Sequence, residues 1–293
     1  MNLTPYLIRG LATGGQFALV AIGYTMVYGI LKLINFAHGD LFMLSGIMMI
    51  YLAASFPTMP LWVTILIMIA LTMFVGFAIE KCAYSPLRTA PRMSVMISAI
   101  GVSYLLQNLV CYITGGLAKQ FPDIPLISQS VKILGVKDKL AVFVSPLVAV
   151  VLMVVLVLII NHTKFGMSMR AVSKDFETAQ LMGVKINRVI SMTFIIGSFL
   201  AAVGALLYFA KNTGINHMAG STPGIKAFIA AVVGGIGSVP GAVVGALIIG
   251  VVESLAKAFG LADFSDVISF ALLILILVIK PTGLFGEKTT EKV

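Results

Sequence analysis

Seven apolar runs, near residues 8–30, 40–56, 60–80, 94–114, 141–160, 189–210 and 264–280, dominate this chain. Each is of the length needed to cross a hydrocarbon layer of about 30 Å as a helix. A further apolar region, 225–257, is interrupted by Gly and Pro. Open strands cannot satisfy their backbone groups in lipid, so the spans are expected to be helical. The pattern predicts an all-α, polytopic transmembrane bundle of about eight spans, two of them broken, with residues 1–293 forming one membrane domain. Composition agrees: 59% of residues are hydrophobic and 11% charged, against about a quarter charged in soluble domains. The N-terminus lacks a basic region and an Ala-x-Ala cleavage site, so the first run is expected to remain as a span.

The formal charge is +9. Its basic residues lie mostly between apolar runs, which points to anionic lipid as their partner and not to nucleic acid. Loops 81–92 and 161–188 hold Arg88, Arg92, Arg170 and Arg188, whereas loops 115–139 and 211–226 hold lysines only. That bias points toward the first pair being cytoplasmic without deciding it; if each of the first three runs then crosses once, the N-terminus is outside, and the interrupted region leaves the side of the C-terminus open. The 115–139 segment reads as the largest external loop, either a docking surface or a plain connection.

Polar residues inside apolar sequence are costly and mark pathways or protected interiors. Gln16 lies within the first run, with two readings: a hydrogen bond to a neighbouring helix or a contact with a solute. Leu33 to Gly46 holds Asn35, His38 and Asp40 within six residues, with Gly39 among them. One reading is a discontinuous helix that presents backbone groups to a solute; the other is a tight turn. In both, Asp40 is expected to cap the second span. Gly234 to Gly241 splits the interrupted region. It reads either as close helix packing or as a second broken helix facing the first, which would add Gly235, Ile236 and Gly237 to the path. Glu253 and Lys257 are spaced to pair on one helix face. Asp263 or Ser265 is expected to cap the last span, and the tail beyond Pro281 is expected to be polar and mobile.

The longest strongly polar stretch between two apolar runs is Gly166 to Val189. Asp175 stands where a helix N-cap belongs, Glu177 falls in the first turn and Gly183 ends the pattern. Met169, Val172, Phe176, Ala179 and Met182 recur every three or four residues, which predicts one apolar face on a short amphipathic helix. Such a helix either docks on a partner or lies on the headgroups.

Enzyme chemistry finds no support. No phosphate-cradling Gly-x-x-x-x-Gly-Lys-[Ser/Thr], His-Glu-x-x-His or Gly-x-Ser-x-Gly occurs, and Cys82 and Cys111 have no ligand spacing. Neither a metal nor a cofactor is expected. A source of energy must then come from a partner, unless Asp40, alone or with His38, couples transport to an ion gradient.

Three stretches carry a resemblance: Gly23 to Gly46 (GYTMVYGILKLINFAHGDLFMLSG), Gly166 to Val189, and Gly234 to Glu253 (GGIGSVPGAVVGALIIGVVE). In this order they resemble the LivH-type permease family of branched-chain amino-acid ABC importers, over nearly the full length. The resemblance implies a cell inner membrane location and a path lined by Gln16, Asn35, His38, Gly39 and Gly235 to Gly237. It implies that 161–188 is the cytoplasmic coupling loop, with Arg170, Asp175, Phe176, Glu177, Ala179 and Gly183 seated against an ATPase. The implied partners are a homologous, LivM-like second permease, two ATPase subunits and a periplasmic binding protein. The implied cargo is leucine, isoleucine or valine; other amino acids, short amides and urea remain alternatives.

Overall fold

The computed structural model describes residues 3–88, 90–133 and 135–286. Along the chain run α1 (Thr4–Leu31), α2 (His38–Ser55), α3 (Leu61–Ile79), α4 (Arg92–Thr114), the single-turn α5 (Pro125–Ser128), α6 (Leu140–His162), α7 (Lys164–Lys174), α8 (Phe176–Leu181), α9 (Ile186–Lys211), α10 (Ser221–Gly234), α11 (Val239–Ala258) and α12 (Ser265–Ile279). Among the described residues, eight helical segments are long and apolar enough to span a bilayer, and α10 is a shorter ninth apolar helix. The molecule is thus the polytopic helical bundle expected from its apolar runs.

The 115–139 loop contains more order than its sequence announces. Strand β1 (Lys119–Gln120) pairs antiparallel with β4 (Gly214–Ile215), and β2 (Ser130–Ile133) forms a hairpin with β3 (Val136–Lys139). Pairings this short leave no usable period-2 signal.

Helix α1 is the axis of the bundle and packs on α6, α9, α10 and α11. Helices in lipid gain little from hydrophobic association, so close approach through small residues takes over. A Cβ placed on Gly10 would stand 2.8 Å from Val251 Cα, and one on Gly14 would stand 2.7 Å from Leu247 Cα. Gly15 faces Pro146 of α6 in the same way, at 2.7 Å from its Cα. Gln16 takes the packing role: its amide donates to Ser145 Oγ (3.2 Å) and to the Leu207 carbonyl (3.3 Å), tying α1 to α6 and α9.

These contacts also fix directions. Arg9 reaches Asp138 and Ser254 reaches the Tyr6 carbonyl at one end. At the other end Arg170 donates to the Ile160 carbonyl, while Leu284 and Phe285 donate backbone bonds to Val233 and Gly234. Helices α10 and α11 run in opposite senses through Gly234, Gly241 and Gly245. The described chain therefore ends on the same face as α7 and α8, and the open parity is resolved. Residues 281–286 are docked, not mobile; the rest of that tail lies outside the described residues.

Further expectations are corrected. Helix α2 starts at His38 with Ala37 as N-cap and no side-chain cap; the Asp40 carboxylate instead accepts from Gln107 Nε2 at 2.9 Å. Phe264, not Asp263 or Ser265, is the N-cap of α12. Lys226 belongs to α10 and not to an external loop. Its ammonium lies 3.0 Å from Glu253 and 2.8 Å from Asp266, while Lys257 pairs with Glu253 at 2.6 Å. One buried carboxylate thus ties α10, α11 and, through Lys226, α12. Hydropathy could not foresee it, because the ammonium is buried only together with its counter-ions.

Candidate functional site: two facing helix starts and a polar peg

Two helices begin inside the bundle. After Leu31 the chain turns back, and α2 starts at His38 beside Gly23 of α1. Gly23 is eight residues short of the end of α1, which at 1.5 Å per residue is about 12 Å into the layer. Beyond β4 the chain likewise dips inward, and α10 starts at Ser221. The two starts touch. A Cβ on Gly39 would stand 2.8 Å from the Gly220 carbonyl oxygen and 3.1 Å from Gly224 Cα. A helix start leaves N–H groups without intrahelical partners and carries partial positive charge. Their meeting places two such ends together at depth, where water competes least.

The sequence flagged the first of these starts, leaving a discontinuous helix and a tight turn both open, and placed the facing break at the wrong glycines. The split at Gly234 exists, but its turn, Gly235 to Ser238, lies at the α7–α8 face, with Gly237 near Gly29 at the end of α1. Gly235 and Gly237 take φ of 106° and 103°, so the turn depends on glycine. The break that meets Gly39 is at Gly220. Nothing in its flanks, His217-Met218-Ala219, reads as a depth marker.

Around the first break, the Asn35 side-chain Oδ1 accepts from the Tyr84 hydroxyl at 2.8 Å, while its Nδ2 has no partner among the described residues. His38 fills the space left by Gly23 and Gly197, and its ring meets Tyr24 edge-on at 4.9 Å. Its Nε2 also lacks a partner among the described residues. Next to it Tyr24, Tyr28, Ile34, Phe228, Ala231 and Ile236 enclose a cleft of about 10 Å³, room for roughly one water. Of the predicted path residues, Asn35, His38 and Gly39 share one neighbourhood and Ile236 lines the adjoining cleft. Gln16 lies in the helix seam and Gly237 at the surface. Sequence reasoning missed Tyr24, Tyr28, Tyr84, Gln107 and Phe228. Tyr24 and Tyr28 were within reach, since their i, i+4 spacing stands inside the GYTMVYG stretch.

The polar stretch forms two helices, not one. Asp175 has an extended backbone (φ −156°, ψ 118°) that ends α7 and starts α8. Its Oδ1 accepts from the Glu177 and Thr178 amides at 2.9 and 3.2 Å, and its Oδ2 accepts from the Thr178 hydroxyl at 2.6 Å. A short acid that bonds the backbone ahead of it competes with helix continuation, which explains the break. The Thr178 hydroxyl and amide and the Glu177 amide hold the Asp175 carboxyl below its ordinary value. Gly183 takes φ 83° at the end of α8, as its stop signal implied. The predicted single apolar face is split with the helix. Met169, Val172 and Ala179 are buried, whereas Phe176 is exposed and Met182 is 81% exposed. Arg170 is held against the end of α6 by the Ile160 carbonyl and Asn161.

Residues 6–277 match the family described as "Branched-chain amino acid transport system / permease component". The chain belongs to that permease family. It is 38% identical to the high-affinity branched-chain amino acid transport system permease protein LivH of Salmonella typhimurium, over 98% of this chain and 96% of the relative. It is 39% identical to BraD, a permease protein of the same description from Pseudomonas aeruginosa, over 98% of this chain and 97% of the relative. Among solved structures, an ABC transporter described as metal-chelate type, in an inward-facing conformation, superposes with a TM-score of 0.51 at 15% identity. The match covers 93% of this chain and 85% of the other. At that identity the likeness concerns the fold.

Proposed function

We propose that this chain is the one-domain membrane subunit of an ABC importer of the inner membrane, and that it translocates branched-chain amino acids. The observation that carries the reading is the near full-length identity to LivH and BraD permeases. Helices α7 and α8 are the coupling loop, facing the cytoplasm. Asp175 and Gly183 fix the two ends of α8, so that Phe176 and Glu177 stand at the bundle edge. Arg170 and the buried Ala179 anchor this peg to the permease side. ATPase subunits on that face supply the force, an external binding protein delivers the cargo, and a homologous second permease completes the pathway.

The path runs past the facing helix starts. Asn35 and His38 contribute polar groups, Gly39 allows backbone approach, and Tyr24, Phe228 and Ile236 form an apolar constriction. Gly235 and Gly237 let the neighbouring turn change shape, while Gln16 supports the path from the seam. Mild polarity suits a transporter, because tight binding would stall release. The test is uptake of labelled leucine by the complex reconstituted in vesicles. The reading expects ATP-dependent accumulation that persists with an uncoupler present. Accumulation abolished by the uncoupler while ATP is maintained would instead favour ion coupling through Asp40.

A further inference from the structure

A cavity of about 1180 Å³ opens at the α7–α8 face between the end of α3 and the starts of α4 and α9. Its charge is one-sided. Lys81, Arg88, Arg92, Lys185 and Arg188 line it, against Glu177 alone. Two of these cations are engaged: Arg88 bonds Glu80 and Asn187, and Lys81 lies 3.4 Å from Glu80. Arg92, Lys185 and Arg188 make no side-chain hydrogen bond or ion pair with the described residues. Deeper in, the wall turns apolar through Phe77, Val95, Met192 and Ile195. On neighbouring turns of α3 and α4, Phe74, Met93 and Ile97 are exposed.

We propose that this cavity binds one anionic phospholipid, its phosphate among Arg92, Lys185 and Arg188 and an acyl chain along Phe77, Phe74 and Ile97. A soluble phosphate would use the cations and leave the apolar wall uncovered. An apolar chain alone would leave three cations without counter-charge. Only an amphiphile with an anionic head matches both halves of the lining. Guanidinium groups bond phosphate oxygens in pairs, and basic pockets on the cytoplasmic side attract anionic lipid. The inference uses the proposed sidedness, not the cargo, so a failure here would leave the transport reading intact.

The test places a single tryptophan in the cavity with W62F/F77W, since Trp62 is the only native one. The full chain is reconstituted with brominated phosphatidylglycerol or brominated phosphatidylcholine. Quenching by the anionic lipid should exceed that by the neutral lipid at least threefold. It should fall to the neutral level in R92Q/R188Q, and excess inorganic phosphate should leave it unchanged. Equal quenching by the two lipids would overturn the proposal, as would reversal by inorganic phosphate. So would a variant that keeps its lipid but loses its ATPase subunits, which would assign the cavity to an acidic protein segment. The headgroup comparison decides the matter even where the double variant fails to assemble.

Discussion

The α1 seam and the α7–α8 peg belong to one chain and are held by opposite means. In the seam, backbone meets backbone across Gly10, Gly14 and Gly250, and any side chain would collide. In the peg, a few side-chain bonds hold short helices whose outward residues touch nothing described. The difference teaches that close backbone packing and short capped helices place contrary demands on sequence. The seam leaves no room for a side chain, whereas the peg leaves Leu181 and Met182 exposed.

The largest expected effect lies outside both regions, between the end of α3 and α9. Glu80 is fully buried at the end of α3, bonded by Arg88 and by Ser191 Oγ at 2.7 Å. Arg88→Ala leaves that carboxylate only Ser191 and the more distant Lys81, and losing one partner of a buried pair costs up to about 3–5 kcal/mol. A thermal or denaturant midpoint in detergent reads the loss, and Glu80→Gln in the same chain should recover part of it. Second, Gly14→Val forces the α1–α11 seam apart and should cost about 2 kcal/mol. An unchanged midpoint there would erase the contrast between seam and peg. Third, Asp175→Ala removes the cap of α8 at a cost of about 1 kcal/mol. It should speed proteolysis or hydrogen exchange in the peg while the seam stays protected.

The smallest effect is a pH dependence at the opposite end. Partial desolvation pushes the Asp138 carboxyl up, but the Arg9 hydrogen bond, the Lys139 amide and the charges of Arg9 and Lys211 hold it below its ordinary 3.8. A depressed carboxyl stabilises the fold above its unfolded value and loses that contribution as pH falls through the folded value. The difference in midpoint between wild type and Arg9→Ala should therefore be constant at neutral pH and shrink only below about pH 4.

Much of this was legible in the residues. Long apolar runs dictate helices because lipid leaves the backbone no other satisfaction, so span positions followed directly. Asp175 and Gly183 announced both ends of α8, because capping is local chemistry. Features built between distant segments stayed hidden. Ser221 opens a helix against Gly39 only once α10 is folded beside α2. Lys226 reads as a loop cation until Glu253 and Asp266 surround it. Gln16 resolved to the helix-pairing reading, which its neighbours in α6 and α9 decide and its flanking sequence does not. Among the path candidates, polar letters drew attention to Asn35 and His38, whereas the adjoining cleft is lined by Tyr24, Tyr28 and Phe228 with aliphatic neighbours.

The account's central claim is that force reaches the gate through α8. The direct measurement is retention of ATPase subunits by membrane-extracted complex carrying Phe176→Glu and Gly183→Asp, with the midpoint of the seam followed in parallel. The account predicts loss of most of the ATPase at an unchanged seam midpoint. Full retention of the ATPase by that variant would contradict it.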